Sequence, residues 1–376
     1  MRPALKAGLR PLWRDRDTLQ VGVDPRRAAA LAGLGKAAAI VSLLDGSRDS
    51  AQVVRAAAEY GIAPDAVDRV LGLLAAAGVL DDFPARLRGT LPDYLRSRLA
   101  PEMACAALAY GHGDGGARVI ARRRAAFVRV YGADRVGACV ATFLAASGVA
   151  WVSCRDRGTA VADDVTPAGL EACDVGTDRA CGVARAIRRV APEVRAADDA
   201  TRLADLAVIA GRPDPVDLAD LMNNRVPHLA VLADEAIGIV GPLVEPGRSA
   251  CLRCVDLSKT DRDRAWPVIL AQAGAGGLAQ GVAPPACDTV LATATAALAT
   301  AQALAFIDRA GPQPPATANG TLEVVLPDWQ WRRRSWPPHV ACTCGAAAKA
   351  AGLTQMPAGV TQPAPDEGMG AGRITL

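Results

Sequence analysis

The stretch Ala126-Phe-Val-Arg-Val-Tyr-Gly-Ala-Asp-Arg-Val-Gly137, continued to Cys154, decides the fold class. Ala126 to Val130 reads as a strand, Gly132 to Ala146 as a turn and helix, and Ala150 to Cys154 as a second strand. A strand, a glycine turn, a helix and another strand make the βαβ unit of a parallel sheet. The alternation continues downstream. Arg179 to Val190 predicts a helix, Asp205 to Ala210 a strand, Val216 to Asn224 a helix and His228 to Ala233 a strand, with a late strand over Thr321 to Leu326. The whole is a doubly wound, Rossmann-type α/β sheet over residues 125–345.

The turn carries a chemical question. A nucleotide fingerprint places glycine wherever backbone must approach phosphate, at the first, third and sixth positions. Gly132 and Gly137 hold the outer two, but Asp134 holds the middle one, and a carboxylate there repels phosphate oxygens. Asp156, after the second strand, stands where a ribose-binding acid belongs. A tight turn and a helix packed on the sheet explain the same residues equally well.

Upstream, residues 1–83 read as a small α+β module. Leu12 to Val23 alternates like a strand pair turning at Asp15-Arg16-Asp17. Arg26 to Leu34 and Lys36 to Leu44 read as short helices, and Ser50 as the cap of a third that stops at Gly61. Pro64 opens a fourth, with Val67, Val70, Leu71 and Leu74 on one face, and Gly78-Val79-Leu80 closes as a strand. This order predicts a winged-helix type of module. Residues 84–124 read as a helical linker in which Arg122-Arg123-Arg124 is a solvated run, and 346–376 as a disordered tail.

Composition narrows the rest. The chain has 376 residues, 51% hydrophobic but only 4% aromatic, so its core must be aliphatic. The net charge of +3 excludes a protein built throughout for nucleic acid. Arg2 and Lys6 lead into no apolar run, so no signal peptide is expected and a cytoplasmic setting is. Thr289 to Ile307 is uncharged and long enough to span a bilayer. It is mostly Ala and Thr, however, and Asp288 and Asp308 bracket it, which predicts a buried core helix and no membrane span.

Ten cysteines in such a setting read as metal ligands where they pair closely. Cys251-Leu-Arg-Cys254 has knuckle spacing, and Cys342-Thr-Cys344 can supply two more thiolates. Four thiolates around one zinc leave no position for water, so the predicted ion is structural. His339 lies close enough in sequence to compete as a ligand. Cys287 lacks a nearby base and reads as a buried cysteine rather than a nucleophile. His228, opening an apolar strand, reads as a core residue, and no catalytic residue is assigned.

These landmarks together resemble the E1-like, ThiF-type superfamily. They are the turn at 132–137, Asp156, Asp174-Val-Gly-Thr-Asp-Arg-Ala180, Val240-Gly-Pro-Leu-Val244, the two cysteine pairs and the apolar helix from Thr289. The resemblance implies a homodimer, zinc, and adenylation of a peptide or protein C-terminus with ATP and magnesium. Gly241-Pro-Leu-Val-Glu-Pro-Gly247, Thr260-Asp-Arg-Asp-Arg-Ala-Trp-Pro267 and Trp336-Pro-Pro-His339 look like one branch. It is the E1-like partner of YcaO-type cyclodehydratases, which make thiazole- and oxazole-modified peptides, bacteriocins among them. In that branch a winged-helix module grips the precursor's leader, and residues 1–83 fit the part.

The departures decide the expected activity. ATP-using relatives carry Asn and Arg after the ribose acid, where Asp164-Val-Thr-Pro-Ala-Gly-Leu170 has neither. They open the next helix with lysine, where Arg179 stands, and a magnesium-binding Asp is replaced by Ala210-Gly-Arg-Pro213. The expected function is therefore a non-adenylating leader-binding partner of a separate cyclodehydratase. Two alternatives stand beside it. One is an active adenylyltransferase using Gly132, Gly137, Asp156 and Arg179. The other is a winged-helix DNA-binding regulator, whose Arg48, Arg55 and Arg69 are diluted by Asp45, Asp49, Glu59, Asp65 and Asp68.

Overall fold

The computed structural model describes residues 1–82, 91–274, 285–309 and 313–350. The expected disordered tail lies outside the described residues from 351 onward, while Ala346–Ala350 is helical rather than part of a tail.

The first module contains β1 (Pro3–Leu5), β2 (Pro11–Trp13), β3 (Thr18–Val21), β4 (Ala29–Ala32), α1 (Ala39–Ser42), α2 (Ser50–Ala58), α3 (Pro64–Ala76) and β5 (Leu80–Asp82). β2, β3 and β4 form an antiparallel sheet, and β1 pairs separately with β5. The Asp15 carboxylate accepts the N–H groups of Asp17 and Thr18 and so closes the β2–β3 turn. All four apolar positions of α3 are buried against Leu19, Val21 and Leu31 from the sheet, as their helical spacing requires.

Two local expectations fail here. Residues 26–34 are not a helix. The alanines pair as β4 along the free edge of β3, with Leu19 opposite Leu31 and Val21 opposite Ala29. A segment this short, between Pro25 and Gly33, cannot hold a helix on alanine propensity alone, and pairing overrides it. The cap of α2 is Asp49 rather than Ser50. Asp49 accepts the Gln52 N–H while the Gln52 side chain accepts the Asp49 N–H.

The linker supplies α4 (Asp93–Arg98), α5 (Ala100–Tyr110) and α6 (Ala117–Ala125). Its arginine run is not uniformly solvated. Arg123 is 8% exposed and forms a two-pronged pair with Asp308, at 2.8 and 2.7 Å. The buried Lys6 ammonium donates to the Ala107 carbonyl at 2.7 Å and ties the first module to α5.

The remainder is β6 (Phe127–Tyr131), α7 (Arg135–Ala146), β7 (Trp151–Arg155), α8 (Arg179–Val190), β8 (Leu206–Ala210), α9 (Pro215–Asn223), β9 (His228–Asp234), β10 (Ile237–Val244), α10 (Leu252–Thr260), α11 (Trp266–Gly274), α12 (Thr289–Asp308), β11 (Gly320–Val325), β12 (Arg332–Ser335) and α13 (Ala346–Ala350). One seven-stranded sheet runs β12-β11-β10-β9-β8-β6-β7. β7, β6, β8 and β9 are parallel, and β10, β11 and β12 extend the sheet antiparallel. The parallel half matches the predicted alternation. β10 and β12 escape it because β10 is interrupted by Gly238, Gly241 and Pro242, and β12 is a charged, exposed edge.

α12 is the predicted core helix. Leu291, Ala292, Ala296, Ala299 and Ala303 pack it against α7 and the sheet. Small side chains let the two helices approach closely, and Asp288 caps its start by accepting from the Leu291 N–H.

Candidate functional site

The two cysteine pairs, far apart in sequence, meet at one point. Cys251 ends the loop after β10 and sits at the N-cap of α10, which carries Cys254 in its first turn. A turn closed by the Cys342 N–H and the His339 carbonyl brings in Cys342 and Cys344. The four Sγ atoms lie within 4.8 Å of one another. Measured contacts are 3.7 Å for Cys251–Cys254, 3.6 Å for Cys251–Cys342 and 3.6 Å for Cys254–Cys344.

Zinc–sulfur bonds of about 2.3 Å in a tetrahedron put sulfurs about 3.8 Å apart, whereas a disulfide needs about 2.05 Å. The donor set and spacing therefore fit a tetrahedral zinc. Burial holds the Cys251 thiol above its ordinary range and pushes Cys342 up to about 11. Cys254 is also buried, but backbone hydrogen bonds from His339 and Cys251, together with the neighbouring thiols, hold it below its ordinary value. A cation bound here would be held by four thiolates, and its binding would be coupled to the release of their protons.

His339 does not compete for the ion. Its Nε2 meets Asp261 Oδ2 at 2.8 Å, and its Nδ1 accepts the Ala341 N–H at 3.1 Å. The tryptophans of the sequence motif stand behind the cluster. Trp266 and Trp336 flank the Lys259 ammonium at 4.4 and 5.9 Å from their ring centres. The Trp336 ring is fully buried and donates to Thr321. These residues join α10 to β11 and hold the wall on which the cysteines sit.

The glycine turn between β6 and α7 is built in the opposite way. Asp134 is the N-cap of α7, and its Oδ1 accepts the N–H groups of Val136 at 3.0 Å and Gly137 at 2.8 Å. These are the donors that a helix N-terminus offers a phosphate. Burial pushes the Asp134 carboxyl above its ordinary value, and those two bonds oppose the push. Asp156 is likewise engaged, accepting from Ala133 N–H at 2.8 Å and Gly158 N–H at 2.6 Å.

Arg179 is tied to Asp164 at 2.8 Å. The glycines are demanded by the chain itself. A Cβ on Gly132 would lie 2.4 Å from the Ala210 carbonyl, and one on Gly137 would lie 2.1 Å from that of Gly132. Strand order reverses between β6 and β8, the usual ligand crevice of such sheets. Here that crevice, between Gly132, Arg155, Ala210 and Asp214, holds about 130 Å³.

Sequence order alone had left these groups free to face a nucleotide. The structure brings Gly132, Gly137 and Asp156 together, gives each close contacts within the chain, and adds Asp164 as the partner of Arg179. Cys287 is 6% exposed, and burial pushes its thiol up to about 11, which is the wrong direction for a nucleophile. His228 is fully buried with Nδ1 3.0 Å from the Val226 carbonyl, and burial lowers its pKa.

Among the described residues, β2 and β4 are the unpaired edges of the three-stranded sheet in the first module. β2 carries the exposed Leu12 and Trp13, the latter 59% exposed. The β4 edge escaped the sequence because its alanines read as helical.

A seven-stranded sheet, half parallel and half antiparallel, with a four-sulfur cluster beyond its fifth strand, settles the architecture. The fold is of the E1-like type. Several solved structures share it. E. coli MccB with AMPCPP and selenomethionine MccA aligns over 92% of this chain and 100% of that one, at 16% identity and TM-score 0.67. The microcin C7 biosynthetic enzyme MccB in complex with N-formylated MccA aligns over 92% and 100%, at 16% identity and 0.65. PaaA aligns over 88% and 98%, at 15% identity and 0.65. No family model and no curated protein matches the chain. The alignments span nearly the whole of both chains, so the likeness includes the first module.

Proposed function

We propose that the chain is a non-adenylating E1-like partner protein in the synthesis of azoline-containing ribosomal peptides. In this reading, residues 1–83 bind the precursor's leader and present the core peptide to a separate YcaO-type cyclodehydratase in the cytoplasm. The carrying observation is Asp134, which already accepts the two N–H groups that a phosphate would need. The engaged Asp156, the Arg179–Asp164 pair and the small crevice point the same way.

A peptide partner is supported by the likeness to MccB, whose structures contain MccA in N-formylated and selenomethionine forms, both features of an amino-acid chain. The leader would add as a strand to an open edge of the β2-β3-β4 sheet, which needs no excess of positive charge. That lack of excess disfavours the DNA-binding reading. The homodimer is supported by Val268 and Ile269, exposed on α11. Zinc at Cys251, Cys254, Cys342 and Cys344 serves as a staple.

Titration calorimetry of the full chain with leader peptides tests the reading. Micromolar binding that weakens at least tenfold in Trp13→Ala is expected, and no binding to any leader removes it. The second reading, an adenylyltransferase, is favoured by the AMPCPP in the MccB structure. Peptide-dependent ATP–pyrophosphate exchange would establish it.

A further inference from the structure

At the end of the sheet opposite the glycine turn, a cleft of about 940 Å³ opens beside the cysteine cluster. Cys344 and Gly345 form part of its wall, so the cysteine loop helps to shape it. Its apolar surface comes from Met222, Pro227 and Phe306. Four cations, Arg225, Arg248, Arg309 and Lys349, line it with a single carboxylate, Glu245. Glu245 is 3.8 Å from Arg248. Among the described residues, Arg225, Arg309 and Lys349 pair with no carboxylate, and the Arg309 guanidinium rests on the Phe306 ring at 5.4 Å.

Two of these arginines occupy costly backbone. Arg225, just past α9, has φ 55°, and Arg309, which ends α12, has φ 41°. Glycine is the usual residue in this left-handed position after a helix, because it has no Cβ to clash. A cation near a helix C-terminus suits the dipole, which accounts for a positive charge in the last turn but not for a bulky side chain at a positive φ. Strain kept in a cleft of unpaired charge points to a ligand.

We propose that this cleft binds an acidic peptide segment of a partner protein, with carboxylates set on either side of an apolar side chain. Separated cations around an apolar floor match such a segment. A compact phosphate fits less well, since phosphate sites use helix N-termini and this cleft is edged by the C-terminal ends of α9 and α12.

The test uses the full chain and a fluorescein-labelled peptide, Asp-Leu-Asp-Phe-Glu-Leu-Asp, in fluorescence anisotropy. Binding should weaken at least tenfold between 50 and 300 mM salt, and at least tenfold for the amide analogue Asn-Leu-Asn-Phe-Gln-Leu-Asn. Arg225→Gly and Arg309→Gly should each weaken binding at least threefold while the Tm stays level or rises, because glycine relieves the backbone. That pairing separates a lost contact from a damaged fold. Equal binding by the acid and amide peptides, or by the wild type and the double variant, overturns the proposal. So does pyrophosphate displacing the probe well below the peptide's own Kd, or an unlabelled peptide of residues 351–376 binding more tightly than the probe, which would give the cleft to the chain's own end.

Discussion

The cysteine cluster and the glycine turn sit in the same domain and answer the same question oppositely. At the cluster, four cysteine sulfurs, three of them on buried residues, converge within 4.8 Å of one another. At the turn, the three acidic and basic groups singled out for a nucleotide already have partners in the chain: Asp134 on the helix N–H groups, Asp156 on two more, Arg179 on Asp164. Buried polar groups must be satisfied by something. Four thiols converging on one point have the geometry of a metal-binding set, whereas groups closed on one another form part of the fold whether or not a ligand binds. The difference is what the proposed reading, a metal site kept and a nucleotide site absorbed into the scaffold, rests on.

The largest effect should come from breaking the cluster. Structural zinc in small sites contributes about 10–16 kcal/mol of apparent binding energy. Cys254→Ser should cost several kcal/mol of stability and lower bound zinc, expected at one per chain, to well below stoichiometric. Elemental analysis with thermal melting checks both. A metal-free chain that melts like the wild type would erase the contrast.

Next come the glycines of the turn. Gly137→Ala and Gly132→Ala each place a Cβ against a backbone carbonyl at 2.1 and 2.4 Å, and Gly132 also has φ 90°. Each should destabilise by about 2–4 kcal/mol with no nucleotide present, read by urea denaturation. A normal melt that loses only nucleotide binding would return the turn to a ligand.

Asp134→Ala should cost about 1 kcal/mol by removing the cap of α7. Because Asp156 and Arg179 remain engaged, ATP–pyrophosphate exchange should stay at background. Appearance of exchange in this variant would mean that a single carboxylate blocks an otherwise working site.

The smallest effect concerns His228. Burial lowers its folded pKa below the ordinary 6.5, so the unfolded chain binds its proton more readily. Its contribution to stability is present above about pH 6.5 and is lost as pH falls from there through the lower folded pKa. His228→Gln should flatten the stability profile between pH 7 and 5.5 by under about 1 kcal/mol per pH unit, measured by denaturation across that range.

What the sequence determined by itself was whatever short-range periodicity encodes. The alternation from β6 to β9, the buried face of α3 and the core role of α12 all rest on residues within a turn or two of one another. The cysteine spacings likewise named four ligands before any of them was seen to meet. Tertiary structure decided everything that needed a distant partner. Residues 29–32 became a strand because β3 offered an edge. Arg123 left the solvent because Asp308 waited at the end of α12. Asp134, readable only as an obstacle to phosphate, proved to be the cap of α7, and Arg179 found Asp164. Local pattern fixes which groups a segment carries, and only the folded chain settles which of them are already satisfied.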